Sequence, residues 1–326
     1  MNISNFSDTN FFKNILSKND IVAAPMAGIT NIPFRTIIRD FFDGLIFTEM
    51  VSTEGVSRNI LKSLKLAKTT KTDNPIIIQI FGKNKDSFEK AVKILDETVE
   101  SGGYNINAGC PVKKVLKAFS GAYLLKDLKT LTDIIKTVRR STVKPISLKA
   151  RLGFEKGNYI HKELLRICEN EGADAIIIHG RTKEDMFSGD IYYDKIAEIA
   201  TISKIPVIGN GNVEDYASYK KMRDTKVQGV MIGRKMLKTP WIFKEIKAYP
   251  NNYTLNKSEI YELICKLYKL EIANRGEKHA ISVVKKYAAW FFSGFNKANT
   301  FRKKIFEANN SKEFLETLKT FSDDTE

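Results

Sequence analysis

ISLKARLGFEKGNYIHKELLRICENEGADAIIIH, residues 146–179, carries the pattern that decides the fold. A short apolar run, Ile146–Ala150, leads into a loop holding Gly153 and Gly157. His161–Glu171 then sets Leu164, Leu165 and Cys168 at helical spacing, and a second apolar run, Ala175–His179, follows Gly172. Two continuous apolar strands around one amphipathic helix form a βαβ unit, which implies a parallel sheet buried on both faces.

The same alternation extends in both directions. Further strand-like runs are Ile21–Ala24, Leu45–Glu49, Ile76–Phe81, Tyr104–Asn107, Val207–Gly209 and Gly229–Ile232. Helical patterns lie between them. Asp86–Val99 aligns Phe88, Val92 and Leu95, and Asp127–Val138 aligns Leu128, Leu131, Ile135 and Val138. Eight strands separated by helices predict an α/β fold, a closed (β/α)8 TIM barrel. A doubly wound sheet is the alternative, but it would carry GxGxxG after the first strand. This chain has Pro25-Met26-Ala27-Gly28 there.

The pattern changes after Trp241. Ser258–Ala273, Ile281–Phe292 and Phe301–Ala308 read as helices, and no strand candidate follows Lys244. The expected division is a barrel over residues 1–243 and a small all-helical domain over 244–326. Tyr249-Pro250-Asn251-Asn252 is the expected junction, and the acidic end Ser322–Glu326 is expected to fray.

Composition narrows the function classes. Cys110, Cys168 and Cys265 are far apart and form no CxxC pair. That argues against a metal site and a disulfide framework and fits a reducing cytoplasm. The first twenty residues lack the apolar core of a signal peptide. No apolar run approaches the ~20 residues of a membrane span. With 53 Lys and Arg against 38 Asp and Glu, the net charge is +15, which points to a polyanionic partner such as nucleic acid. The basic residues cluster in three acid-free stretches. Ser57–Thr72 holds Arg58, Lys62, Lys65, Lys68 and Lys71. Ser101–Lys126 holds Lys113, Lys114, Lys117 and Lys126. Lys278–Lys304 holds Lys285, Lys286, Arg302, Lys303 and Lys304 among others.

A barrel carries its chemistry at the C-terminal ends of its strands. Those positions here are Pro25-Met26-Ala27, Thr48-Glu49-Met50, Gln79, Cys110, Lys149 with Arg151, His179-Gly180-Arg181, Gly209-Asn210-Gly211 and Gly233-Arg234. Packing gives no reason for Gln79 or Lys149 inside apolar strands, and burying either without a partner costs several kcal/mol. An ion pair with Glu49 is the structural explanation for Lys149. Backbone N–H groups of Asn210, Gly211, Gly233 and Arg234 suit a phosphate. A phosphate there, with Lys149 mid-barrel, fits flavin mononucleotide (FMN) across the barrel mouth. Cys110 sits on a stiff Gly-Cys-Pro turn after Asn105-Ile106-Asn107-Ala108. Such a thiol is either aimed at a ligand or a small buried hydrophobe.

Together these residues resemble the tRNA-dihydrouridine synthases, in particular the bacterial DusB-type branch. The matching motifs are AAPMAGITNIPFR from Ala23, TEM from Thr48, QIFG from Gln79, and the stretch from Asn107 through Gly109-Cys110-Pro111-Val112-Lys113-Lys114-Val115. They continue with LKARLGF from Leu148, IHGRT from Ile178, IPVIGNG from Ile205, MIGR ending at Arg234, PWIF around Trp241 and KKYAAWF from Lys285. The resemblance implies FMN in the barrel, a helical tRNA-binding domain, and reduction of uridine to 5,6-dihydrouridine with NADPH or NADH as reductant. It implies that Pro25, Met26 and Ala27 line the isoalloxazine and that Gln79 and Lys149 bind its pyrimidine edge. His179, Asn210, Gly211, Asn212, Gly233 and Arg234 would hold the ribityl chain and phosphate. Cys110 would protonate C5 of the flipped-out base. Lys113, Lys114, Arg151, Lys285, Lys286, Arg302 and Lys303 would meet the tRNA. A cytoplasmic monomer is expected.

Three positions depart from the family pattern. Asn105 stands where Asp is usual, Asn212 where Asp is common, and Tyr287 where histidine is usual. They bear on which uridine is modified more than on the reaction. Two other functions compete: an FMN barrel oxidising or reducing a free pyrimidine, as in dihydroorotate dehydrogenase, and a non-catalytic RNA-binding protein. The acid-free Lys278–Lys304 stretch argues against the first. Cys110, Lys149 and the two glycine turns argue against the second.

Overall fold

Among the described residues, nine short strands form a curved parallel sheet: β1 (Ile21–Ala23), β2 (Ile46–Phe47), β3 (Val51–Ser52), β4 (Ile76–Phe81), β5 (Tyr104–Ala108), β6 (Ile146–Arg151), β7 (Ala175–His179), β8 (Val207–Asn210) and β9 (Gly229–Ile232). This is a computed structural model that describes residues 10–324. The first nine residues of the N-terminal stretch and the last two of the acidic end therefore lie outside the described residues.

Strand order runs β1-β9-β8-β7-β6-β5-β4-β2, with β3 also on β4. A parallel bridge between Val22 and Leu45 brings the two ends together, and the Ala23 N–H donates to the Leu45 carbonyl at 2.9 Å. The sheet is thus the expected eight-stave barrel. Its second stave is broken by Thr48-Glu49-Met50 into β2 and β3.

Register explains the polar interior. Gln79 lies opposite Asn105 and Asn105 opposite Ser147, whereas Asn107 lies opposite Lys149. Strand side chains alternate between faces, so the polar residues of β4, β5 and β6 fall in successive layers. Ile77, Ile78, Ile80, Leu148, Ile176, Ile177 and Ile208 are buried around them. The outer helices bury the apolar stripe that their spacing predicts, as Phe88, Ala91, Val92 and Leu95 do on helix Lys85–Thr98.

Contacts divide the chain into two units. The barrel unit holds the described residues up to Ile32 and Asp43–Gly233. The helical unit holds Pro33–Phe42 and the chain from Arg234 onward. Within the latter, helices Lys257–Arg275, Glu277–Phe291, Ala298–Glu307 and Ser311–Asp323 bury Ile264, Leu267, Val284, Ala288, Phe291, Ile305 and Phe314. Asn256 and Glu259 form a capping box at the start of the first of these. The fourth, Ser311–Asp323, takes in Ser322 and Asp323 of the acidic end and was not read from the sequence. Phe314, Leu318 and Phe321 carry its apolar face, with Phe321 stacked on Phe301 at 4.3 Å. The Pro33–Phe42 segment contributes Phe34 against Tyr287 (5.1 Å, stacked) and Phe42 against Phe243 (4.1 Å, stacked). Tyr287, one of the three departures, is therefore a core residue of the helical unit.

Candidate active site

At the mouth of the barrel the ends of β4 and β5 share one amide network. Gln79 donates through Nε2 to Asn105 Oδ1 at 2.7 Å and accepts on Oε1 from Asn107 Nδ2 at 2.9 Å. Asn105 Nδ2 donates to Ser147 Oγ at 2.8 Å. Asn107 Oδ1 in turn accepts the N–H groups of Gly109 (3.1 Å) and Cys110 (3.0 Å). An amide has both donors and acceptors, so a carboxylate at 105 would repel the Ser147 carbonyl that Asn105 Nδ2 now also meets at 3.3 Å. This gives the Asn105 departure a local rationale, one that sequence reading did not find.

Cys110 is half-buried on the turn this network holds. Burial pushes its thiol pKa up, partly opposed by a backbone hydrogen bond at Val112 and by the Arg151 and Lys149 charges. The thiol therefore stays protonated at neutral pH. The turn is also braced from behind. The Cys110 carbonyl accepts from Ala122 N–H at 3.1 Å. Gly121, at φ +62°, approaches so closely that a Cβ there would lie 2.9 Å from the same carbonyl.

Arg151 supplies a third brace. It is 1% exposed, and its Nε donates to the Gly109 carbonyl at 3.0 Å. Its Nη1 donates to the Thr182 and Met186 carbonyls at 2.7 Å each. Expected among tRNA contacts, Arg151 is instead buried between the loops that follow β5 and β7. A buried guanidinium satisfied by three backbone carbonyls orders those loops rather than presenting a charge to solvent.

Lys149 lies half-buried on β6 and donates to Asn210 Oδ1 at 3.1 Å. Asn210 is held by its own donation to the Met231 carbonyl at 2.8 Å. The acceptor for Lys149 is thus Asn210 rather than the Glu49 carboxylate, which takes the Gly28 N–H. Burial first, and the Arg151 charge second, draw the Lys149 pKa down to about 7. One acceptor satisfies one of three ammonium donors, and no ion pair to Lys149 exists among the described residues. The ammonium is therefore suited to an acceptor-bearing ligand.

Further round the ring, Arg181 Nη1 meets Asn212 Oδ1 at 3.2 Å and lies 3.4 Å from His179 Nε2. Gly211 sits at φ +142°, a backbone conformation that L side chains rarely adopt, and a Cβ there would press on Ile191. Arg181 escaped the sequence reading as a site residue, although its place in the His179-Gly180-Arg181 strand end was visible. Pro25 and Met26 are half-buried and Ala27 exposed in the loop after β1. The structure thus gathers Pro25, Met26, Ala27, Gln79, Cys110, Lys149, His179, Asn210, Gly211, Asn212 and Gly233 within the barrel unit. Arg234 opens the helical unit, which also holds Lys285, Lys286, Arg302 and Lys303. There Lys286, Arg302 and Lys303 are exposed, whereas Lys285 donates to the Ala308 and Phe306 carbonyls. Phe291 is buried and Trp290 half-buried, both packed against Tyr287.

Among the described residues no group of three metal-ligating side chains is present and no helix is long and apolar enough to cross a membrane. Residues 21–326 match the family model described as dihydrouridine synthase. A probable tRNA-dihydrouridine synthase of Helicobacter pylori strain 26695 is 32% identical over 314 residues, covering 95% of this chain and 93% of that protein. A tRNA-dihydrouridine synthase B of Pasteurella multocida is 33% identical over 312 residues, covering 93% of each. Among solved structures, an old yellow enzyme from Trypanosoma cruzi superposes with a TM-score of 0.51 over 75% of this chain and 92% of that one. At 11% identity that likeness speaks to the barrel fold alone.

Proposed function

The chain belongs to the dihydrouridine synthase family, and on that premise we propose that it reduces uridines in tRNA to 5,6-dihydrouridine, using FMN in the barrel mouth and NADPH or NADH as reductant. The observation that carries the reading is a protonated, half-buried Cys110 on a turn braced by Asn107, Gly121 and Arg151, at the same mouth as the under-satisfied Lys149 ammonium.

Lys149, Asn210 and Gln79 fit the polar edge of a flavin ring, with Pro25, Met26 and Ala27 along its face. His179, Gly211, Asn212 and Gly233 fit its ribityl chain and phosphate. When bound, FMN would supply the hydride that adds to uracil C6. Cys110 would give its Sγ proton to C5, so the C5–C6 double bond becomes a single bond and the thiolate is later reprotonated by water. The raised thiol pKa supports this role, since a general acid must hold its proton at working pH. The tRNA would be held by Lys113 and Lys114 beside the turn and by Lys286, Arg302 and Lys303 of the helical part.

Two measurements test the reading together. The purified protein should be yellow and release one flavin monophosphate per chain on denaturation. With tRNA and NADPH it should form dihydrouridine, read by mass spectrometry of the digested tRNA. A protein that cannot be loaded with FMN, or that leaves tRNA unchanged when loaded, would overturn it.

A further inference from the structure

The rim of the barrel mouth carries one continuous basic stretch. The loops after β3, β4 and β5 expose Arg58, Lys62, Lys83, Lys113 and Lys114. The loops after β7 and β8 mix Arg181 and Lys183 with Glu184, Asp185, Asp190, Glu214 and Asp215, of which Glu184, Asp185 and Asp215 accept hydrogen bonds from neighbouring loop and helix residues. Asp86 is exposed at the start of helix Lys85–Thr98, whereas Glu54 is turned to internal use: it accepts the Lys83 N–H at 3.2 Å and the Ser87 hydroxyl at 3.4 Å. That bond also joins the loop after β3 to the loop after β4. The Lys83 ammonium lies over the Phe119 ring at 4.9 Å, which joins the loop after β4 to the loop after β5. The three basic loops are therefore one continuous surface ending at the Cys110 turn.

Apolar side chains interleave with these charges. Ile60 is 47% exposed, Leu61 82% and Phe119 48%. Phe119 adopts φ +55°, a left-handed conformation unfavourable for a bulky L-residue. That conformation closes helix Lys113–Lys117, where the Phe119 and Ser120 N–H groups donate to the Leu116 and Val115 carbonyls, and it leaves half the ring facing solvent. Cations spaced along a surface, with an exposed aromatic beside one of them, match the stacking and backbone contacts of a single nucleic-acid strand.

Resting on the reading of the barrel as a tRNA-modifying site, we infer that this basic stretch of the rim is the track over which the RNA strand reaches Cys110. Arg58, Lys62 and Lys83 meet phosphates, and Phe119 stacks on a base next to the one being reduced. Phosphate contacts position the strand, and stacking on Phe119 tolerates any base.

The test compares the FMN-loaded wild type with the triple variant Arg58→Ala, Lys62→Ala, Lys83→Ala, with Phe119→Ala, and with a control triple Lys18→Ala, Lys204→Ala, Lys226→Ala. The control lysines precede β1, β8 and β9, at the other end of the barrel. Each is assayed for tRNA binding by filter retention across salt, with poly-L-glutamate as competitor, and for dihydrouridine formation. The rim triple should weaken tRNA binding about tenfold or more and reduce the salt slope by roughly 2–3, at ~0.7–0.9 per lost phosphate contact. Phe119→Ala should weaken tRNA binding about tenfold with an unchanged slope. The control triple and flavin reduction by NADPH without tRNA should match wild type. Equal effects of the two triples, no effect of the rim triple, or poly-L-glutamate competing as well as tRNA would overturn the inference. Wild type that binds tRNA through the rim yet forms no dihydrouridine would instead overturn the assigned reaction and leave the RNA track standing.

Discussion

Asn107 and Cys110 are tied by one hydrogen bond: the side-chain oxygen of Asn107 accepts the Cys110 N–H at 3.0 Å, while its Nδ2 donates to Gln79. The end of β4 thereby sets the geometry of the turn after β5. Replacing Asn107 by Ala should let the thiol drift, and the variant is compared with wild type after both are loaded with FMN. Oxidation of the reduced enzyme by tRNA should then slow on the order of 10²-fold, the usual consequence of misplacing a reacting group by about 1 Å. Single-turnover flavin absorbance reads this directly, and a wild-type rate in Asn107→Ala would remove the network from the mechanism.

Cys110→Ala should still bind FMN and still accept hydride from NADPH. Its re-oxidation by tRNA should fall by roughly 10²–10⁴, the range for loss of a general acid. Because burial raises the Cys110 pKa above its ordinary value near 9, the Cys110-dependent part of the rate, the ratio of wild type to Cys110→Ala, should be flat through neutral pH. It should decline only above that value, as the thiol loses its proton. Cys168, fully buried on helix His161–Asn170, should be replaceable by Ala with turnover nearly unchanged.

Lys149 trades stability for a ligand. Its folded pKa of about 7 lies below the ordinary 10.5, so between those values the unfolded chain binds more protons than the folded one. Stability of the flavin-free protein should rise with pH across that window, and the penalty is fully present below about pH 7. Lys149→Met should therefore melt a few degrees higher than wild type at pH 6, with the gap closing toward pH 10. The same variant should lose FMN affinity. Calorimetry of flavin-stripped protein across pH, beside flavin titration, separates the two effects, and a Lys149→Met variant that melts lower at pH 6 contradicts the burial argument.

In the helical unit, neighbouring lysines have different jobs. Lys285 donates to the Ala308 and Phe306 carbonyls at the end of helix Ala298–Glu307, so Lys285→Ala should cost about 1 kcal/mol of stability. Lys286, Arg302 and Lys303 are exposed. Replacing these three by Ala should spare the melting temperature and flatten the salt dependence of tRNA binding, by about 0.9 per lost contact on duplex regions. An unaltered slope would place the phosphate contacts elsewhere.

The barrel was legible because each stave announces itself locally. Ile76–Phe81, Ala175–His179 and Gly229–Ile232 were read with the bounds the structure shows. Continuous apolar runs between helical patterns leave a parallel sheet as the way to bury both faces. The site positions were legible for a related reason: Gln79 and Lys149 interrupt strands that packing alone would make apolar.

Other features were not legible, since they depend on residues far apart in sequence. Nothing local tells that Pro33–Phe42 packs with the C-terminal helices, because an amphipathic helix shows an apolar face but not its partner. The end of the second strand at Thr48-Glu49-Met50 was visible, but the return of the chain to the sheet at Val51–Ser52 was not. Nor were the destinations of polar groups. Arg151 and Lys285 each read as a surface cation awaiting a phosphate, yet both donate to backbone carbonyls supplied by other segments. The sequence by itself determined the elements, their parallel order and the residue types at the barrel mouth, because periodicity and strand ends are local properties. Only the tertiary structure decided which of those charges are spent inside and which remain for a ligand, because a hydrogen-bond partner is set by proximity in space and a buried donor takes the nearest acceptor.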